Sequence, residues 1–223
     1  MNLIEYPDRE MMMLSLADKL AGQLAAFLRR NERVSFSVPG GTTPGPAFDT
    51  LCQIDLDWSR VTIILNDERW VDAESPRANT RLVREHLLTG KAAAAQFVPM
   101  LTDDATPEAA LPGLTQALEP HLPLTLLLLG MGEDMHTASL LPGADRLEDA
   151  LSDDAPPLMA LRAEGVPEPR ITLTAPVLRG AMDTHVLITG AAKREALERA
   201  ASLKSVEAPI RVVLDAATVH WAE

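Results

Sequence analysis

The stretch LLLLGMGEDMHTASLLPG, residues 126–143, constrains the fold more than any other part of the chain. Four consecutive leucines are too few to cross a bilayer, and such a run reads as a strand buried on both faces of a parallel sheet. The run breaks into a glycine-rich turn that carries Asp134 and His136, and the pattern beyond it predicts a short helix. Open α/β sheets bind their ligands at the carboxyl ends of such strands. A histidine placed there is a general-base candidate, because an unperturbed pKa near ~6.5 leaves the ring mostly neutral at working pH. Taken alone, a turn histidine is more often structural than catalytic, and the rest of the chain tips the balance.

Strand and helix signals alternate elsewhere. Residues 8–30 place Met12, Leu16, Leu20, Leu24 and Phe27 at helical spacing after a Pro-Asp start. Short strands are expected at 34–38 and 61–65, with a helix at 44–51 between them. Asn79 is placed to cap a helix over 80–88. Residues 91–95 give a weak helical signal, 96–100 a short strand, and 107–118 a helix with proline near its start. Beyond the leucine run come a turn-rich tract at 142–157, strands at 158–162 and 170–174, and a helical turn at 175–179. A strand at 184–189 feeds a helix at 191–201, and the chain closes with a helix at 209–216 and a strand at 218–221. This alternation predicts an α/β fold in three layers, α/β/α, with a mainly parallel Rossmann-like sheet covered on both faces. No repeat, linker or low-complexity block interrupts it, so residues 1–223 are expected to form a single domain.

Composition narrows the functions. With 47% hydrophobic and 23% charged residues the chain is globular, and no uninterrupted apolar segment is long enough for a membrane span. The first residues carry acids early and lack a basic stretch followed by an apolar core, unlike a secretory signal. The one cysteine, Cys52, excludes an internal disulfide and a thiolate metal cluster, and a cytoplasmic location is expected. Cys52 itself is expected to be a small buried residue rather than a nucleophile. A net charge of −12 without a basic run argues against a nucleic-acid surface. It leaves room for a small anion, for which two or three well-placed cations suffice.

Four strand-to-loop junctions carry residues able to do chemistry. In Val38-Pro39-Gly40-Gly41-Thr42-Thr43-Pro44, two glycines let backbone N–H groups approach an anion, and the threonines add hydroxyls before a helix N-terminus. The loop is neither a dinucleotide fingerprint nor a P-loop, and it also reads as an ordinary tight turn. Asn66-Asp67-Glu68-Arg69-Trp70 sets three charges directly after a buried strand, where unpaired charges are costly. At least one acid is expected to staple this loop, with Arg69 free to fork onto a phosphate or carboxylate. The third junction is the Asp134–His136 turn. The fourth, Thr189-Gly190-Ala191-Ala192-Lys193, puts a cation in the first turn of a helix, against the dipole, which makes most sense with an anion nearby.

Taken together these segments resemble the 6-phosphogluconolactonase family, whose sugar-phosphate relatives include glucosamine-6-phosphate deaminases. The resemblance rests on PGGTTP (39–44), NDERWV (66–71), the helix start at Asn79, GMGEDMHTASLLPG (130–143), PRITLT (169–174) and TGAAK (189–193). They occur in family order across most of the chain, and the ending PIRVVLDAATVHWAE is similar to that of bacterial members. The resemblance implies hydrolysis of 6-phospho-D-glucono-1,5-lactone to 6-phosphogluconate in the oxidative pentose phosphate pathway. It implies no organic cofactor and no required metal, with a small phosphorylated lactone as partner and a monomer or small homo-oligomer. Carried over, it makes His136 the base that activates water, with Asp134 orienting it. Arg69 and Lys193 would hold the 6-phosphate, Gly40, Gly41, Thr42 and Thr43 would line the pocket, and Asp67 or Glu68 would face the ligand. Arg170 would give support from behind.

One departure concerns Met135, which stands where the family usually has glycine. If that position needs φ > 0, methionine costs roughly 1–2 kcal/mol. The main rival is an amino-sugar-phosphate isomerase/deaminase. That branch carries a glutamate five residues beyond the histidine, where this chain has Leu141, and reads DEY where this chain reads DER. An acyl-enzyme using Ser139 lacks the GxSxG elbow, and Ser139 is expected to cap or pack in the short helix. A metal hydrolase would have to rely on Asp134 and His136 with the other histidines (His86, His121, His185, His220) scattered singly. A non-catalytic sugar-phosphate sensor could use the same pocket.

Overall fold

The computed structural model describes residues 1–223. Ten strands form two sheets. The first sheet contains β1 (Asn2–Glu5), β2 (Val34–Val38), β3 (Val61–Leu65), β5 (Gln96–Val98), β6 (Leu126–Gly130), β9 (Asp183–Thr189) and β10 (Thr218–Ala222). They lie in the order β1-β10-β9-β6-β2-β3-β5, and every pairing is parallel. The leucine run is the central strand, with Leu126 to Leu129 fully buried, as a strand covered on both faces requires. Helices α1 (Arg9–Leu28), α2 (Gly45–Leu51), α3 (Asn79–His86), α4 (Pro107–Leu118), α5 (Leu147–Leu151), α6 (Ala175–Arg179), α7 (Ala191–Ala200) and α8 (Arg211–Leu214) complete a three-layer α/β/α fold. One contiguous apolar core runs from Met12 to Ala222. Helix α1 is long and apolar enough to cross a membrane by length and composition. Its apolar side, Met12, Leu16, Leu20 and Leu24, is fully buried in this core.

A parallel sheet puts all its carboxyl ends on one rim. From β2 the chain moves through α2 to β3, whereas from β6 it continues to β9 on the opposite side. The point where the winding reverses therefore lies between β2 and β6, and a crevice forms outside their carboxyl ends. The loops after β2, β3, β6 and β9 all open there.

The second sheet departs from the sequence reading. Strands β4 (Asp67–Arg69), β7 (Leu158–Leu161) and β8 (Arg170–Leu173) form an antiparallel sheet of their own, in the order β4-β8-β7. Residues read as a charged loop at 67–69 are thus a strand, and the strands expected near 158–162 and 170–174 do not join the parallel sheet. Asn66 sews the two sheets together at the rim. Its side chain donates to the Leu128 carbonyl at 2.8 Å and accepts from Ser37 Oγ at 2.6 Å, while its carbonyl accepts from the Leu173 amide. Strand β1, unread in the sequence, pairs at the sheet edge with β10.

Two local expectations are corrected. No helix follows His136: residues 137–140 form a bridged tight turn, Thr137 against Leu140, and the next helix is α5. The reason is backbone handedness, since Met135 (φ 66°) and Ala138 (φ 49°) are both left-handed and a right-handed helix cannot run through them. Asn79 does not cap α3. Glu68 does, accepting from the amides of Asn79 (2.8 Å) and Thr80 (2.7 Å), an anion at a helix N-terminus supplied from another element.

Candidate active site

The crevice at the rim is a cleft of about 190 Å³ lined by residues from all four junctions. Gly40, Gly41, Thr43, Asp67, Arg69, His136, Arg170 and Lys193 all border it. An imidazole and three cations far apart in the chain thus face one concavity. Thr42 does not; it turns into the adjoining groove against α1, beside Arg9 and Thr189. Asp134 is not in the lining either and stands behind His136. Asn79, read only as a helix cap, is part of the cleft wall.

The His136–Asp134 pair is built by the turn after β6. His136 Nδ1 lies 2.6 Å from Asp134 Oδ1, and the His136 amide donates to the same oxygen at 3.2 Å. The hydrogen bond from His136 holds the Asp134 carboxyl below its ordinary pKa, against the opposing effect of burial. An ionised carboxylate only accepts, so the proton of the pair sits on Nδ1, which in the neutral ring leaves the lone pair on Nε2. Gly132 is required here by space, because a Cβ at that position would run into the His136 ring and Asp134. The Gly132 amide also donates to the His136 carbonyl.

Met135 resolves the question its position raised: φ is 66°, the conformation glycine adopts freely. Its side chain packs against the core, and its carbonyl accepts from the Ile210 amide. Strain and packing therefore oppose each other, and a pair of variants separates them. Met135→Ala and Met135→Gly lose the same packing, but only glycine removes the strain of ~1–2 kcal/mol, less ~0.4–1 kcal/mol for a freer unfolded chain. The glycine variant is expected to melt above the alanine variant; the reverse order in thermal unfolding would show an unstrained turn.

Two of the three cations, Arg69 and Arg170, come from the antiparallel sheet, and Lys193 follows β9 of the parallel one. Arg69 and Arg170 are direct cross-strand partners in the β4–β8 register, a juxtaposition of like charges that destabilises a sheet unless something neutralises it. The Nε atoms of both are buried without a hydrogen-bond partner. Arg69 Nη1 donates to the Arg77 carbonyl (2.6 Å) and to Asn79 Oδ1 (3.3 Å), and Arg170 Nη1 stands 3.9 Å from Asp67 Oδ2. Burial pulls the Arg170 guanidinium below its usual pKa, with Asp67 opposing and Arg69 adding to the shift. Lys193, in the first turn of α7, forms no ion pair. Burying cations with so few counter-charges is costly unless an anion arrives.

The two acids of β4 divide cleanly. Glu68 is 0% exposed and accepts from the amides of Arg69, Asn79 and Thr80 and from Thr80 Oγ1. Burial raises its pKa in spite of these donors. It is the staple, and Asp67 is the acid facing the cleft. Ser139 is also 0% exposed and donates Oγ–H to Asp67 Oδ2 at 2.6 Å, which leaves it no access to a ligand carbonyl. Cys52 is buried, as expected.

Fold and cleft define an α/β protein with a pocket lined by three cations and an imidazole paired with a carboxylate at the carboxyl rim of its sheet. The family described as glucosamine-6-phosphate isomerases/6-phosphogluconolactonase matches residues 7–221. A 6-phosphogluconolactonase of Rhizobium meliloti is 41% identical, with 100% of this chain and 98% of the relative covered. One of Caulobacter vibrioides is 34% identical over 98% and 96%. The crystal structure of a 6-phosphogluconolactonase from Shewanella baltica superposes with a TM-score of 0.96 at 32% identity, covering 100% of this chain and 97% of the other. This chain belongs to the glucosamine-6-phosphate isomerase/6-phosphogluconolactonase family.

Proposed function

We propose that this chain hydrolyses 6-phospho-D-glucono-1,5-lactone to 6-phospho-D-gluconate, the second step of the oxidative pentose phosphate pathway, as a cytoplasmic enzyme. The observation that carries the reading is that His136, backed by Asp134, shares one cleft with Arg69, Arg170 and Lys193. The cations suit the 6-phosphate, and the imidazole suits a water aimed at the lactone carbonyl. A δ-lactone is an activated ester, so one base and one positioned water suffice without a covalent nucleophile. His136 Nε2 takes a proton from water as its oxygen adds to C1; collapse of the tetrahedral adduct expels the ring oxygen, which takes the proton back from the imidazolium. Asp134 fixes the tautomer and stabilises the transient positive charge. Arg69 and Lys193 anchor the phosphate, Arg170 adds a second guanidinium beside Arg69, and Gly40, Gly41 and Thr43 shape the sugar end.

The experiment is a stopped assay of freshly generated 6-phosphogluconolactone, corrected for its spontaneous decay, with gluconolactone and glucosamine 6-phosphate as comparators. Acceleration of the first is expected. Binding of 6-phosphogluconate without any acceleration would replace the enzyme by a sensor. Arg69→Ala and Lys193→Ala are each expected to raise KM for the phosphorylated lactone about 10- to 100-fold, the worth of a charge-assisted hydrogen bond of ~1.5–3 kcal/mol. Steady-state kinetics on gluconolactone should move far less; equal losses on both substrates would take these side chains off the phosphate.

A further inference from the structure

The proposed reaction holds its substrate at one end and attacks it at the other. The base sits on a turn of the parallel sheet, and two of the three cations sit on the antiparallel one. Asn66 ties the two sheets where β3 passes into β4, and Ser139 ties the base-bearing turn itself to the antiparallel sheet. This serine lies three residues beyond His136, in the turn closed by the Thr137–Leu140 bridge. The left-handed Ala138 directs the chain inward just before it. Its Oγ donates to Asp67 Oδ2 at 2.6 Å, and its amide donates to Thr172 Oγ1 at 3.1 Å. Asp67 and Thr172 are themselves cross-strand partners, each two positions from one arginine of the Arg69–Arg170 pair. Ser139 therefore grips both arginine-bearing strands at once.

The grip continues along the wall. Asn79 Nδ2 donates to the Asp67 carbonyl at 2.9 Å and to Oδ1 at 3.3 Å, and its own Oδ1 accepts from Arg69. Gly40 lies so close over the Asn79 amide that any side chain there would collide with it. Ser139, Asp67 and Asn79 thus form one buried polar strap running from the base-bearing turn, past Arg170 and Arg69, to the glycine loop. Ser139 itself touches no part of the cleft surface.

We infer that Ser139 is a positioning residue for the phosphorylated lactone: its hydroxyl fixes the His136 turn against the Arg69–Arg170 wall. The inference rests on the proposed function. A phosphate-anchored lactone feels any shift between the walls, because its carbonyl is located by its phosphate. A lactone without phosphate is not anchored and settles against His136 independently of the arginines. A merely structural serine would affect both substrates alike.

The test uses Ser139→Ala and Ser139→Cys in the full chain, with kinetics on 6-phosphogluconolactone and gluconolactone and a thermal melt of each variant. For Ser139→Ala, kcat on the phosphorylated lactone is expected to fall about 10- to 100-fold, the scale of a small misalignment. KM should change little, since both arginines stay on their own sheet. The rate on gluconolactone should fall much less, and Ser139→Cys, a weaker donor of similar size, should recover part of the loss. An equal fall on both substrates, or no fall in a folded Ser139→Ala, overturns the inference. Should the alanine variant not fold, the ratio of the two rates in Ser139→Cys decides in the same way. A wild-type chain with no preference for the phosphorylated lactone removes the proposed function, and this inference with it; equal losses against an intact wild-type preference remove this inference alone.

Discussion

Replacing His136 by alanine is expected to lower kcat on 6-phosphogluconolactone about 10²–10⁴-fold, the usual worth of a positioned general base. Affinity for 6-phosphogluconate should stay nearly intact, because the anchoring cations are on other elements. The turn should survive the change. The ring is about one-third exposed, so its loss opens no core cavity. The backbone contacts that shape the turn, from the Gly132 amide to the His136 carbonyl and from Ile210 to Met135, involve no imidazole atom. Single-turnover kinetics together with product titration by calorimetry check the two halves separately. A parallel loss of turnover and product binding would make His136 a structural residue and remove water activation from the mechanism.

What the sequence disclosed followed from local signals. The leucine run announced a central parallel strand, and the glycine junctions after β2, β6 and β9 announced where the rim would be. Those junctions carry His136, Gly40, Gly41, Thr43 and Lys193, and all of them reach the cleft. The antiparallel sheet stayed hidden because its strands have only three or four residues each, and β4 pairs about a hundred positions downstream. A strand spelled Asp-Glu-Arg also contradicts strand propensity, and burial of Glu68 against the start of α3 overrides it. The Asp67–Ser139 contact and the Glu68 cap are tertiary for the same reason. The tight turn at 137–140 reads as helix in the sequence because Ala138 is left-handed without being glycine, so composition gives no warning.

The histidines expected to be scattered singly include a pair that adjacent strands bring together, and this pair predicts a loss of stability in acid. His185 on β9 and His220 on β10 are fully buried beneath α1, with His185 Nδ1 2.9 Å from His220 Nε2. Gln23 Oε1, an acceptor, lies 2.7 Å from His185 Nε2, and the Tyr6 hydroxyl lies 2.8 Å from His220 Nδ1. One direction satisfies every contact: Tyr6 donates to His220, His220 to His185, His185 to Gln23, and Gln23 to Asp183. Both rings are neutral in that arrangement; a second proton on His185 sets its Nδ1–H against the His220 Nε2–H, and one on His220 forces the Tyr6 hydroxyl to turn from donor to acceptor. Burial holds His185 down to about 4, with Asp183 opposing and Lys19 reinforcing. Burial, helped by His185 and Lys19, holds His220 down to about 3. In the unfolded chain both titrate near ~6.5, so between that pH and the folded values the unfolded state binds more protons and stability rises with pH. The full contribution is present above pH ~6.5 and is lost as the pH falls toward 4 and below. Each ring gives up about 1.4 kcal/mol for every pH step of one between its unfolded and folded pKa. Several kcal/mol is a large part of the ~5–15 kcal/mol that holds a domain folded. Urea midpoints should hold level from pH 7.5 to about 6.5 and then fall steadily toward pH 5, above the range in which most carboxylates titrate, and His220→Asn should flatten that slope by close to one proton. A midpoint constant from pH 6.5 to 5 would show that the pair accepts a proton in the folded state and that the one-way chain of donors is wrong.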